Sequence, residues 1–65
     1  MEPYQERVIA EARELKEKLD KLTPFVQPEH PIFSTLPLED RTLFHAQHGA
    51  MKAYLSILEI RISRF

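Results

Sequence analysis

Apolar positions recur along two long stretches of this chain at helical spacing, and a proline-rich segment separates them. The denser stretch is Leu43 to Phe65. Leu43, Met51, Tyr54, Leu58, Ile62 and Phe65 form one stripe, with Gln47 in its polar gap. Ala50, Ala53, Ile57 and Ile60 form a second stripe beside it. Steps of three and four residues are the period of a helix face. A surface helix needs an apolar arc of only about 100°. Two stripes cover more than half the circumference near the C-terminal end, so this helix expects two neighbours. The rest of the chain supplies one.

The first stretch supplies that one. From Tyr4, apolar residues fall at Val8, Ala12, Leu15, Leu19 and Leu22. Steps of four, three, four and three make a coiled-coil-like seam. Charged residues fill the other face, with Glu14–Lys18 and Glu17–Lys21 in the favourable i,i+4 order. Pro3 suits a first helical position, where a missing N–H costs nothing. The pattern predicts helix 1 over residues 3–22, a connector over 23–36 and helix 2 over 37–64, all in one domain spanning 1–65. Thr23-Pro24 is expected to stop helix 1, because a residue before proline avoids the helical region. The connector holds Pro24, Pro28 and Pro31, and it carries Phe25, Val26, Ile32 and Phe33 to cap one end of the core. Pro37 falls in the first turn of helix 2, followed by Glu39 and Asp40 where the helix dipole favours anions. The residue capping that helix is Thr35 or Leu36. Gly49 is either a tolerated surface glycine or a point of close approach by another helix. The predicted fold is all-α: an antiparallel two-helix hairpin that assembles into a homo-oligomer, with Ala50 and Ala53 permitting close contact between copies.

Composition narrows the function. A core built from 65 residues rarely supplies more than about 3–5 kcal/mol without staples. The chain has no cysteine, so oligomerisation is the expected source of stability. Absence of cysteine also fits a reducing cytoplasm. The start MEPYQER lacks the basic and apolar regions of a signal peptide. No apolar run reaches membrane-spanning length, so no membrane partner is expected. A net charge of −1 lacks the basic excess of a general nucleic-acid binder, which argues against a DNA or RNA duplex as partner.

Few residues carry candidate chemistry. Tyr4 and Arg7 share a helix face, and an antiparallel hairpin brings them towards Arg61, Arg64 and Phe65. Arginines take phosphate oxygens in a fork, and an aromatic ring stacks on a base. In the alternative reading Tyr4 closes the seam, Arg7 pairs with Glu11, and the C-terminal arginines complement the helix dipole. Gln5 and Gln47 lie at or beside the two seams, where they either set register or offer amides to a ligand. His45, His48 and Asp40 lack the ligand number of a zinc site, and His30 sits between two prolines without a motif. No metal or other cofactor is expected. Ser34, Ser56 and Ser63 stand outside any nucleophile motif, Glu6, Glu11 and Glu14 read as a solvated face, and no glycine-rich phosphate loop exists. The chain is not expected to be an enzyme.

One combination of residues is more specific. Tyr4-Gln5-Glu6-Arg7-Val8, Glu11, Leu15, Lys18, Lys21-Leu22 and Phe25 are followed by Phe33, Leu36-Pro37, Gln47, Met51, Tyr54, Leu58, Arg61-Ile62 and Phe65. In this order the chain resembles a family of small phage proteins with members in crAss-like phages, and the match covers nearly its whole length. More distantly, its hairpin is similar to that of phage anti-CBASS and anti-Thoeris sponges. These form symmetric oligomers that sequester cyclic nucleotide immune signals, or cyclic ADP-ribose-type signals, without cleaving them. The resemblance implies a homo-oligomer in the host cytoplasm with ligand between subunits. It places Tyr4, Arg7 and Arg61 at that ligand, and Lys18 and Lys21 match basic positions of the pattern; Gln5, Gln47 and Arg64 are further candidates from their positions on the two helices. The competing expectation is a coiled-coil interaction protein that binds a host or phage protein.

Overall fold

The computed structural model describes all 65 residues as two long helices joined by a compact connector. α1 spans Pro3–Phe25 and α2 spans Leu38–Ser63; a single 3-10 turn, Phe33–Thr35, interrupts the connector. There is no strand. α2 folds back along α1 to give an elongated hairpin measuring 46 × 15 × 14 Å. Its radius of gyration is 14.7 Å, against about 11 Å for a globular chain of this length.

Local sequence explains the helix ends. Glu2 caps α1 in an extended conformation, Pro3 takes the first helical position, and a reciprocal capping box joins Glu2 to Gln5. Such a box satisfies two of the amides a helix start leaves without partners. At the other end, α1 runs through Pro24 to Phe25 rather than stopping at Leu22. Proline in a last turn removes only one intrahelical bond, and the chain recovers there: the Val26 N–H bonds the Leu22 carbonyl at 3.1 Å. The connector is accordingly shifted to residues 26–37. Pro37 itself occupies the cap position of α2, in place of Thr35 or Leu36, and helical geometry starts at Leu38. Its carbonyl accepts the Arg41 N–H at 3.0 Å; the ring provides no side-chain cap.

The core is a narrow seam. Leu58, fully buried, packs against Val8 and Ala12, flanked by Leu15, Leu55 and Ile62. Aromatic rings close the connector end. Phe25 meets Phe33 and Phe44 edge to face, with centroids 5.5 and 5.3 Å apart, while His30 and His45 pack on the same cluster. Val26 and Phe33 are buried as expected, but Ile32 stays mostly exposed and Phe44 takes its place in the cap. The His30 ring also holds the connector's own backbone, because its Nδ1 accepts the N–H groups of Ile32 and Phe33.

On α2 the two apolar stripes sort differently from the sequence reading. Phe44, His48, Met51, Leu55, Leu58 and Ile62 face α1 as half-buried or buried residues. Leu43 and Tyr54 do not join them, being 67% and 42% exposed. One residue is 100° of helix rotation, so Leu43 points well away from Phe44. It falls instead in line with Ala46, Ala50, Ala53, Ile57 and Ile60, all exposed.

Candidate functional site

One long side of the hairpin gathers most of the polar candidates. On α1, Tyr4, Glu11 and Lys18 recur at intervals of seven residues; on α2, Gln47, Tyr54 and Arg61 do the same. Seven residues are close to two helical turns, so each trio follows one side of its helix. Antiparallel packing then sets Glu11 across from Tyr54. Their hydrogen bond, Tyr54 Oη donating to Glu11 Oε1, ties the two helices at mid-length. This bond holds the Tyr54 phenol above its ordinary pKa, aided by partial desolvation and the Glu11 charge; Arg61 pulls in the opposite direction. Arg61 therefore lies within electrostatic reach of the same rung.

Towards the open end, Tyr4 packs edge-on against Phe65 with ring centroids 5.9 Å apart. Tyr4 keeps half of its surface exposed. Arg7 follows Tyr4 by one turn on the same side of α1 and is exposed, as are Arg61 and Arg64 on α2. Arg64 is the C-cap of α2, its backbone N–H bonding the carbonyls of Arg61 and Ile62. The hairpin thus assembles two rings and three guanidinium-bearing residues around its open end, as an antiparallel arrangement of the two helices requires.

Gln5 and Gln47 differ in their relation to that cluster. Gln5 is engaged at the helix start, its Oε1 accepting the Glu2 N–H at 3.0 Å. Gln47 lies far along α2, 14 residues before Arg61, which is about 21 Å of helix. There it borders a groove of 410 Å³ with Lys18, Lys21, Leu22, Phe25 and Met51. A single hairpin therefore holds two patches, an aromatic-arginine end and a lysine-glutamine groove, with the Glu11–Tyr54 rung between them. Lys18, Lys21 and Tyr54 all belong to the residue pattern read from the sequence, whose apolar spacing puts Tyr54 in the stripe and outside the site. The shared seven-residue interval was the available signal.

His48 and Arg41 are engaged elsewhere. His48 shares a 2.8 Å hydrogen bond with Thr23 Oγ1 across the hairpin, and Arg41 Nε donates to the Leu36 carbonyl at 3.0 Å. No three His, Asp or Glu side chains converge as a metal site would require. No helix is long and apolar enough to cross a membrane.

Searches of curated proteins and of solved structures find no match to this chain. The profile of one protein family does match, over residues 2–64. That span takes in both helices, the connector and every candidate ligand residue named above, and on it the chain belongs to the Sequestin family.

Proposed function

We propose that this protein is a non-enzymatic phage sponge that binds a cyclic nucleotide immune signal of the CBASS or Thoeris type and withholds it, uncleaved, at subunit interfaces. The family's name denotes sequestration, which favours a binder over a catalyst. The observation that carries the ligand class is the open end of the hairpin. There Tyr4, half exposed against Phe65, shares the end of the hairpin with the exposed Arg7, Arg61 and Arg64. A cyclic nucleotide presents flat bases and anionic phosphates; these residues offer a stacking face and forked donors. Arg7 and Arg61 contact phosphate or ribose, and Tyr4 stacks on or borders a base. No nucleophile with an adjacent base accompanies them, so the bound molecule is released unchanged.

A second reading, a coiled-coil protein that binds a host or phage protein, draws on the exposed apolar line of α2. The two are separated by a thermal-shift and calorimetric screen against cyclic di- and trinucleotides and cyclic ADP-ribose isomers. The sponge reading expects one class to bind at a saturable site and to be recovered intact after denaturation. No binding across the screen would turn the assignment to the second reading, and a breakdown product accumulating with time would contradict sequestration.

A further inference from the structure

α2 carries an apolar line that nothing in the hairpin covers. Leu43, Ala46, Ala50, Ala53, Ile57 and Ile60 follow one another at steps of three, four, three, four and three. This is the a/d spacing of a coiled coil. All six are exposed, Leu43, Ile57 and Ile60 by 67%, 54% and 60%. Gly49 flanks the line, and a Cβ there would meet nothing within the hairpin. Altogether the chain exposes 5018 Å², roughly 700 Å² more than a globular chain of its mass. That excess approaches the ~800 Å² each partner contributes to a standard interface.

We infer that this line pairs with the same line of a second copy, antiparallel, about a two-fold axis lying between Ala50 and Ala53. The line is self-complementary in that direction. Leu43 meets Ile60 of the partner subunit, Ala46 meets the partner's Ile57, and Ala50 meets the partner's Ala53. Large side chains fill the two ends, and alanines allow the helices to approach closely at the axis. Charge selects the direction. One turn beyond Leu43 stands Glu39, and one turn beyond Ile60 stands Arg64; antiparallel pairing sets each opposite the other at both ends of the seam. Asp40 likewise faces the side of the partner carrying Arg61. Parallel pairing would place Glu39 on Glu39 and Arg64 on Arg64, and like charges at such positions reject the pairing.

The same register bears on the site. Gln47, Tyr54 and Arg61 lie along one flank of the seam, beside α1. In one hairpin Gln47 and Arg61 are about 21 Å apart. Across the two-fold, Gln47 comes to within about five residues of the partner's Arg61, roughly 8 Å along the axis. The lysine-glutamine groove of one protomer and the arginine end of the other then form one trough, repeated twice by the symmetry. The pairing stands on the hairpin alone; the trough's role in holding an anionic nucleotide rests on the proposed function.

The absence of native cysteine makes the register readable by crosslinking. Leu43→Cys and Ile60→Cys are prepared separately, mixed, and oxidised in a thiol-disulfide exchange buffer without ligand. Antiparallel pairing expects a disulfide in the mixture and almost none in either variant alone. Two copies of residue 43 would sit 17 residues apart, about 25 Å, far beyond the ~4.4–6.8 Å Cα separation of a disulfide. A covalent dimer from Leu43→Cys by itself, or no mixed disulfide, overturns the inference. As a check through charge, Glu39→Arg and Arg64→Glu should each raise the concentration at which the dimer dissociates, and together restore the parent value. Failure of the pair to restore it counts against this register. A sample that crosslinks as expected but takes up no cyclic nucleotide supports the pairing and counts against the sequestering function alone.

Discussion

Replacing Ile57 by Asp separates the two faces of α2. Ile57 is 54% exposed in the hairpin, while its neighbour Leu58 is fully buried. Within one hairpin the change should therefore matter little, a few tenths of a kcal/mol of helix propensity. In the paired state it matters twice, once per copy. Full burial of an isoleucine stabilises by about 1.5–3 kcal/mol. Roughly half of that remains to be gained on pairing, or about 2–3 kcal/mol over both copies. A carboxylate set against the partner's Ala46 adds a desolvation penalty of several kcal/mol per ion. The total exceeds about 4 kcal/mol, or at least a thousandfold in the dissociation constant. Light scattering behind a sizing column, with circular dichroism on the same fractions, should show a dimer for the parent and a monomer for Ile57→Asp. An Ile57→Asp dimer as tight as the parent, or a parent that is a stable folded monomer at micromolar concentration, would refute the pairing.

Leu58→Ala should act on folding instead: truncating a fully buried leucine costs about 2–5 kcal/mol, comparable to the whole stability of so small a core. Urea unfolding followed by circular dichroism should find the variant largely unfolded or strongly concentration-dependent, and a loss below about 1 kcal/mol would mean the seam is not the core. Tyr54→Phe tests the Glu11 rung through pH. The Tyr54 phenol is held above its ordinary value, so its contribution is complete below about pH 10 and fades as pH rises through the folded value. The parent should lose stability on that alkaline limb relative to Tyr54→Phe, and parallel curves would deny the hydrogen bond. Arg7→Ala and Tyr4→Ala should abolish tight ligand binding while leaving helicity and oligomer size unchanged, whereas Lys16→Ala should do neither. If Arg7→Ala binds as the parent does but fails to assemble, Arg7 belongs to an interface and not to the ligand site.

Periodicity carried most of the fold. Val8, Ala12, Leu15 and Leu19 are spaced so regularly that the α1 seam could be read directly, and the surplus of apolar positions on α2 corresponds to a line left exposed outside the hairpin. The ends were harder. Thr23-Pro24 reads as a stop, yet a final helical turn loses little by including a proline, so α1 continues to Phe25. On α2 the sorting of Leu43 and Phe44 turned on 100° of rotation, which residue spacing alone resolves poorly across the gap from Leu43 to Met51. Ile32 and Phe44 exchanged places for a related reason: the path of the connector, rather than hydrophobicity, decides which side chain faces the end of the hairpin. At the site, Tyr4 and Phe65 were brought together by topology alone. Gln5 stands at that same end with its amide oxygen taken up by the helix start, and Gln47 belongs to a groove that exists only once α1 lies beside it.

Calorimetric titration with cyclic di- and trinucleotides and cyclic ADP-ribose isomers, followed by denaturation and chromatography of the bound fraction, tests the sequestering function most directly. A ligand at 100 times its dissociation constant should also stabilise the fold by about 2.7 kcal/mol if it binds only the native state. A sponge should show saturable binding of one signal class, a stoichiometry set by sites shared between chains, loss of affinity by roughly ten- to a hundredfold in Arg61→Ala, and quantitative recovery of intact ligand. Heatless titrations across the whole panel, or a ligand recovered in cleaved form, would contradict it.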